Sequence, residues 1–486
     1  MPEIRGAATI HVDETVSATR VHVPAPAPKV FDRKFIFLIL FTALLINAGM
    51  VLGVLPKVAS PLAVTYSMGF GDLYDLIAKN LDQGNGYRVE PDMGETMLRE
   101  PGYPFLLSAA FKLGGYGIQQ ARMVCVLLAF GAALVLFRLT RKITENAVAA
   151  LIAAVLFLLY PGILIAETRA GIEVPSILTV LLFMLVLYSA VDKGSIWRYG
   201  SAGLLLGVAV LTRSEVMVFP LVLLGYLLLA AKGWAERVKV AEGIALLGVG
   251  ALIVMSPWII RNYLLVHQLV PSATVAGVAA QEGLYTCENA ATGESFALGQ
   301  TRAGYERADF AMQMGKPFLG QYYQLFYTPQ DEFAFNQVLL RHVSSEYRND
   351  PKLMAGCAAK NLLFNFWFLG KTLQSTLANL AMQVPLLGLA LGGVVVLWRR
   401  GLLRKADLVL LYILYIPPLH AVIIAHARHS MLIVPFLAIF AAVCLVSFWP
   451  ALRMQSSGLD SKPSPPPAAT KPPVADHLSL ATCHQS

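Results

Sequence analysis

The chain has 486 residues, of which 56% are hydrophobic and only 14% charged, and its mean hydropathy is +0.61. Soluble domains carry about 25% charged residues, so a water-soluble globular enzyme is excluded. The net charge of +8 is scattered through short loops, with no basic stripe, aromatic interleaving or zinc-ligand spacing, which excludes a nucleic-acid partner.

Residues 1–34 form a polar leader containing Pro24-Ala25-Pro26-Ala27-Pro28 and are expected to be disordered. The first apolar run, Phe35 to Leu55, is too long for a signal peptide and reads as an anchor. Further runs are Gln119 to Phe137, Ala147 to Ile165, Val174 to Val191, Tyr199 to Leu211 and Val216 to Leu229. The last four are Gly243 to Ile260, Leu377 to Trp398, Leu408 to Ile424 and Met431 to Phe448. Runs of about 20 apolar residues match a hydrocarbon core of roughly 30 Å. The expected fold class is therefore an all-α polytopic membrane protein with about ten transmembrane helices. The two short runs flanking Arg213 read as a tight hairpin that need not cross fully, and Arg213, a charge between apolar runs, either serves function or holds the hairpin by pairing with Glu215. A catalytic membrane domain is expected at 35–450, followed by a disordered polar tail at 451–486.

Short cytoplasmic loops accumulate Lys and Arg. Basic loops alternate along the chain: Arg138, Arg141 and Lys142; Lys193 and Arg198; Lys232, Arg237 and Lys239; Arg399, Arg400, Arg404 and Lys405. This puts both ends in the cytoplasm and two long segments, 56–118 and 261–376, outside. The chain contains no Asn-x-Ser/Thr acceptor, which fits a bacterial inner membrane with the working face in the periplasm. Cys125 and Cys444 fall within spans, whereas Cys287 and Cys357 both lie outside, where a disulfide is permitted.

Long loops on a rigid scaffold are where catalytic groups concentrate. In the first outer loop Leu73, Leu76, Ile77 and Leu81 recur at helical spacing, predicting a short surface helix that ends at Gly84-Asn85-Gly86-Tyr87. Asp72 stands at its start, where an N-cap is the plainer role, and Asp75 and Asp82 read as solvated. A second interfacial helix follows Arg99-Glu100-Pro101-Gly102-Tyr103-Pro104, its entry around Tyr103 fixed by two prolines. Arg99 is shaped to grip a phosphate bidentately, or else anchors the interface. Arg261, after Pro257-Trp258, reaches the headgroup layer. Arg428 and His429 lie between two late spans on the same outer side, with His420 and His426 nearby, and a structural hydrogen bond is the plainer role for each histidine. The second outer region carries Tyr322, Tyr323, Phe326, Tyr327, Asp331 and Glu332 and reads as a partial lid.

Four stretches in order resemble the GT-C glycosyltransferase superfamily, and more closely its protein-mannosyltransferase and aminoarabinose-lipid A transferase branch. They are Gly71-Asp72-Leu73-Tyr74 with Arg99 to Pro104; Gly207-Val208-Ala209-Val210-Leu211-Thr212-Arg213; Ser256-Pro257-Trp258-Ile259-Ile260-Arg261-Asn262; and Arg428-His429 followed by Pro435. The resemblance implies that Asp72 is the catalytic base. A second acid follows the third span in a Tyr-Pro context; after Tyr160-Pro161 both Glu167 and Glu173 compete, and Glu173, just before Val174-Pro175, fits better. Arg99, Tyr103, Arg261, Arg428 and His429 are the expected substrate-binding residues. There is no Asp-x-Asp, so no metal or other cofactor is expected, although a metal ion is not excluded.

The implied reaction moves a sugar from a polyprenyl-phosphate donor to an acceptor hydroxyl on a glycan, lipid or protein. A carboxylate taking the hydroxyl proton opposite arginines that hold the phosphate would give in-line displacement with inversion. Two alternatives stay open on the sequence alone. One is an O-antigen ligase or polymerase type enzyme using Arg341 and His342 of the late loop, and the other is a transporter or flippase of lipid-linked sugars.

Overall fold

The computed structural model describes residues 33–58, 72–291, 296–315, 328–368, 373–425 and 427–448. The leader to residue 32, the tail from residue 449, Gly71, Tyr322, Tyr323, Phe326, Tyr327 and His426 lie outside the described residues, as does the side chain of Cys287. Among the described residues every regular element is helical. The first half comprises α1 (Arg33–Gly49, continued through a π-turn Met50–Val54 and Leu55–Val58), α2 (Tyr74–Asp82), α3 (Gly102–Gly114), α4 (Ile118–Thr144), α5 (Ala147–Leu158), α6 (Pro161–Thr168), α7 (Glu173–Lys193) and α8 (Ile196–Thr212). After a 3-10 turn at Ser214–Val218 come α9 (Phe219–Ala230), α10 (Trp234–Val266), α11 (Ala276–Ala291), α12 (Phe296–Gln313), α13 (Pro329–Asn349) and α14 (Pro351–Lys360). The chain closes with α15 (Leu373–Arg399), α16 (Asp407–Val422), a 3-10 turn at His429–Leu432 and α17 (Val434–Ser447).

All ten apolar runs fall on helices, and the chain is a multi-pass membrane protein. Among the described residues, six helices are long and apolar enough to cross a bilayer, and α5 with α6 adds a seventh if the bent pair is one span. The expected count of about ten full spans is not reproduced by length. Ile196–Thr212 and Ser214–Ala230 have 17 residues and Val434–Ser447 has 14. At about 1.5 Å per residue they reach roughly 21–25 Å, short of a roughly 30 Å core.

The run Ala147 to Ile165 is not straight: it bends by 46° between α5 and α6. Pro161 is the cause, since it lacks an N–H and pushes Tyr160 out of the helical region, to φ −67°, ψ 123°. The opposite case is α10, whose 33 residues reach roughly 50 Å, enough to carry Trp258 and Arg261 past the hydrocarbon.

Between spans there is little hydrophobic driving force, so close backbone approach has to hold them together. A Cβ on Gly207 of α8 would lie 2.7 Å from the Ala251 carbonyl, and one on Gly250 of α10 would lie 2.5 Å from the Gly200 carbonyl. Only glycine admits this contact. The Gly207 of the family-like stretch is therefore a packing residue. On the far side, Gly393 of α15 meets the Phe440 carbonyl of α17, a helix buried along nearly its whole length.

Three of the four basic loops meet at one end of the bundle: Lys142 pairs with Asp192 at 2.6 Å and Lys405 with Glu145 at 2.8 Å. The two outer regions meet at the other end. The first comprises α2, an irregular stretch 83–101 and α3; the glycines of its predicted turn, Gly84 and Gly86, have φ of 78° and 90°. The second stacks α11, α12 and α13 around Val278, Ala311, Phe335 and Leu339, and its Cys357 is disulfide-bonded.

Candidate active site

The helix predicted to start at Asp72 starts at Tyr74. Asp72 and Leu73 before it both adopt left-handed backbone, φ 57° and 74°, a conformation disfavoured for any residue with a Cβ and most of all for one as bulky as leucine. Leu73 takes the cap position, where its side chain makes no capping hydrogen bond. This overturns the N-cap reading of Asp72. Its carboxylate is turned instead to Arg428, whose Nη2 lies 2.7 Å from Asp72 Oδ2. Asp75 is not solvated either: it is fully buried and accepts a hydrogen bond from the Tyr116 hydroxyl at 2.8 Å.

Arg428 has a second partner. Its Nε lies 3.1 Å from Glu173 Oε1, so one guanidinium bridges two carboxylates that are 101 residues apart in the chain. Glu173 opens α7, where the positive end of the helix dipole favours a carboxylate. The turn ahead of it is held by buried donors. Arg122 Nε donates to the Thr168 carbonyl at 2.7 Å, and the Tyr103 hydroxyl donates to the Ala170 carbonyl at 2.8 Å. Tyr103 is thus spent on the backbone that presents Glu173; burial pushes its hydroxyl well above its ordinary pKa, and it does not join the cluster at Arg428.

Arg99 supports the same site from the first outer loop. Its Nε donates to the Asp72 carbonyl at 3.1 Å and its guanidinium lies 5.3 Å from the centre of the Tyr74 ring. Glu100, left without a role in the sequence reading, joins two segments: it accepts from the Tyr74 hydroxyl at 3.1 Å and from the Ser214 hydroxyl at 2.8 Å. Next to it, Gly102 allows α3 to sit on the end of α8, since a Cβ there would come 2.8 Å from Thr212 Oγ1.

Arg213 pairs with Glu215 at 2.6 Å, as the hairpin reading requires, and lies within electrostatic reach of Glu173 and Arg428. Glu215 Oε1 is also 3.7 Å from His420 Nε2. His420 stacks on His429 with ring centres 4.4 Å apart, so His429 borders the cluster as a buried, packed ring.

Arg261 is placed elsewhere. It donates to the Thr96 carbonyl at 2.8 Å, pairs with Glu95 at 3.2 Å and lies over the Trp258 ring at 4.6 Å. These contacts clasp the first outer loop to α10. In the second outer region His342 faces Glu306 at 3.4 Å and packs on Phe310, while Arg341 is exposed. Among the described residues, no three His, Cys, Asp or Glu side chains are grouped to hold a metal ion, and Arg428 stands between the two carboxylates.

Glu167 faces the other way. It is fully buried against α1 and takes a hydrogen bond from Asn47 Nδ2 at 3.1 Å. Of the two competing acids, only Glu173 is joined to Asp72. Glu167→Gln keeps the shape and an acceptor oxygen for Asn47, so its melting temperature and its transfer rate are expected to stay close to wild type, a change of under about 1 kcal/mol. Glu173→Gln, assayed alongside it, is expected to lose activity. A silent Glu173→Gln beside an inactive Glu167→Gln would reverse the assignment.

Residues 99–260 match the family described as dolichyl-phosphate-mannose-protein mannosyltransferase. In fold the chain is similar to the archaeal oligosaccharyltransferase AglB from Archaeoglobus fulgidus in complex with an inhibitory peptide and a dolichol-phosphate. The identity is 14% and the TM-score 0.52, over 88% of this chain and 52% of that one. The apo form of the Archaeoglobus fulgidus oligosaccharyltransferase gives 13% and 0.51, with 88% and 52% covered. ArnT from Cupriavidus metallidurans bound to undecaprenyl phosphate aligns with 84% of this chain and 77% of its own at 16% identity, but at a TM-score of 0.35 it carries no argument. The chain spans about half the length of the oligosaccharyltransferase structures it matches. No curated protein matches it in sequence. The resemblance to GT-C glycosyltransferases is borne out by the family match and by the fold, and the matched residues contain or overlap three of the four stretches on which it rests.

Proposed function

We propose that this protein transfers a sugar from a polyprenyl-phosphate donor to an acceptor hydroxyl, with inversion, on the periplasmic face of a bacterial inner membrane. The observation that carries the reading is the bridge Asp72–Arg428–Glu173, which gathers one residue from the first outer loop, one from the start of α7 and one from the loop before α17. The family match to lipid-phosphate-sugar transferases supports the donor class.

In this mechanism the donor phosphate, an anion with several acceptor oxygens, draws Arg428 away from Asp72 and takes up its guanidinium. Arg213 adds positive charge close by. Asp72, released from its partner, accepts the proton of the acceptor hydroxyl as that oxygen attacks the anomeric carbon. The bond to the phosphate oxygen breaks on the opposite face, and the phosphate leaves with its charge held by arginine. Glu173 keeps Arg428 oriented throughout. The acceptor belongs to the side of the second outer region, which covers the first and shuts out water that would hydrolyse the donor.

The full chain in lipid nanodiscs is expected to bind undecaprenyl phosphate about tenfold or more tightly than undecaprenol, since charge-assisted hydrogen bonds to the phosphate are the difference between them. Native mass spectrometry measures both. Equal binding of alcohol and phosphate would remove the phosphate site from this protein.

A further inference from the structure

Glu332 lies in the first turn of α13, where an acid ordinarily serves the helix's own free N–H groups. Here that task falls to Thr328, whose hydroxyl accepts from the Asp331 amide at 3.2 Å. Glu332 is buried and turned outward from its helix. Its Oε1 accepts from the Met97 amide at 2.9 Å and from the Thr274 hydroxyl at 2.5 Å, and its Oε2 accepts from the Thr96 hydroxyl at 2.5 Å. Thr96 in turn accepts from the Leu98 amide at 3.0 Å, and the Thr274 amide donates to the Met97 carbonyl at 2.9 Å. One turn further along α13, Asn336 accepts from the Gly277 amide at 2.7 Å. One helix thus ties the second outer region to itself and to a stretch of the first, 235 residues earlier.

The stretch it holds runs straight into the site. Two residues past Met97, Arg99 fixes the strained backbone of Asp72, and Glu100 fixes Tyr74 and Ser214. A left-handed pair such as Asp72-Leu73 persists only where its surroundings over-determine it. Arg99 supplies part of that support beside Arg428, and the 96–100 stretch that carries Arg99 is held at Glu332 as well as at Arg261 and Tyr87.

We propose that Glu332 is a positioning residue for the transfer site: by locking the second outer region onto residues 96–98 it sets Arg99, and through Arg99 the aim of the Asp72 carboxylate. The inference rests on the function proposed above.

Hydrogen exchange and steady-state kinetics on the full chain in detergent test it together. Glu332→Ala is expected to speed exchange at the Met97 and Leu98 amides about tenfold or more, while the middle of α7 keeps its protection. Its transfer rate should fall through kcat, with KM for the polyprenyl-phosphate sugar little changed. Glu332→Gln keeps Oε1 for Met97 and Thr274 and can turn its amide to Thr96 Oγ1, so it should restore both readouts. Should Glu332→Ala fail to fold, Thr274→Val, which removes one of the three donors, is expected to move both readouts in the same direction by less. Unchanged exchange at 96–98 in these variants overturns the latch whatever the activity. Faster exchange with wild-type kcat overturns the positioning role. A wild-type chain that transfers no sugar from any polyprenyl phosphate overturns the functional reading, and the exchange data alone then decide the latch.

Discussion

Asp72→Asn is expected to lower transfer by about a hundredfold or more while leaving the fold intact. The substitution is gentle on the backbone, because asparagine tolerates the left-handed region at least as well as aspartate, and Asp72 sits there with φ 57°. It is also silent with respect to helix capping, since the cap position of α2 belongs to Leu73. What changes is the ability to take a proton and the charge facing Arg428. The charge pair contributes little to stability: the Arg428 side chain is 39% exposed, and ion pairs so open to solvent are worth about 1 kcal/mol or less. A large loss of rate at an unchanged melting temperature therefore isolates the chemical role. The decisive measurement is single-turnover transfer at saturating donor, with expression and thermal stability matched. Turnover near wild type would take Asp72 out of the mechanism, and Glu173, the other carboxylate on Arg428, would be the next candidate.

The helices were legible because apolar length needs no tertiary information. All ten runs became helices, and the errors lay in how far each extends and whether it bends, as at Pro161. The members of the central bridge were also within reach, but through resemblance, since nothing in the spacing of Asp72, Glu173 and Arg428 brings them together. The preference for Glu173 over Glu167 likewise rested on the resemblance and not on spacing. They are six residues apart, yet the left-handed Ala170 between them, φ 52°, ends one helix and re-aims the next, so that one acid faces α1 and the other faces the site. Periodicity cannot register a single reversed dihedral.

Other side chains reach partners that spacing does not show. Asp75 looked solvated because it is an acid on a short polar helix, and it is buried because Tyr116 from the α3–α4 junction closes over it. Arg261 and Tyr103, substrate contacts by resemblance, are each engaged by a backbone carbonyl of a distant segment. Glu332 reads in the sequence only as one polar residue of a partial lid, which conceals its long-range role. Long polar side chains reach several ångströms in any direction, and only the fold decides which carbonyl or amide meets them.

Arg428→Lys is expected to fail almost as fully as Arg428→Ala, each losing about a hundredfold or more in kcat/KM. Arginine hydrogen-bonds Asp72 through Nη2 and sets the Nε side of the same planar guanidinium 3.1 Å from Glu173 as an ion pair, and its fork suits a phosphate. Lysine offers a single point charge, which can neutralise one carboxylate but cannot span two or grip the leaving group in a defined orientation. In Arg428→Ala the two carboxylates are left without the charge between them, and the donor phosphate would have to approach them unaided. Binding of undecaprenyl phosphate should therefore fall about tenfold or more, alongside the loss in rate. Since both residues act on one step, the double variant Asp72→Asn with Arg428→Ala should be little worse than either single one, because groups working as a unit are not additive. Full additivity would mean that the two act independently. Wild-type affinity for undecaprenyl phosphate in Arg428→Ala would mean that the phosphate is held elsewhere.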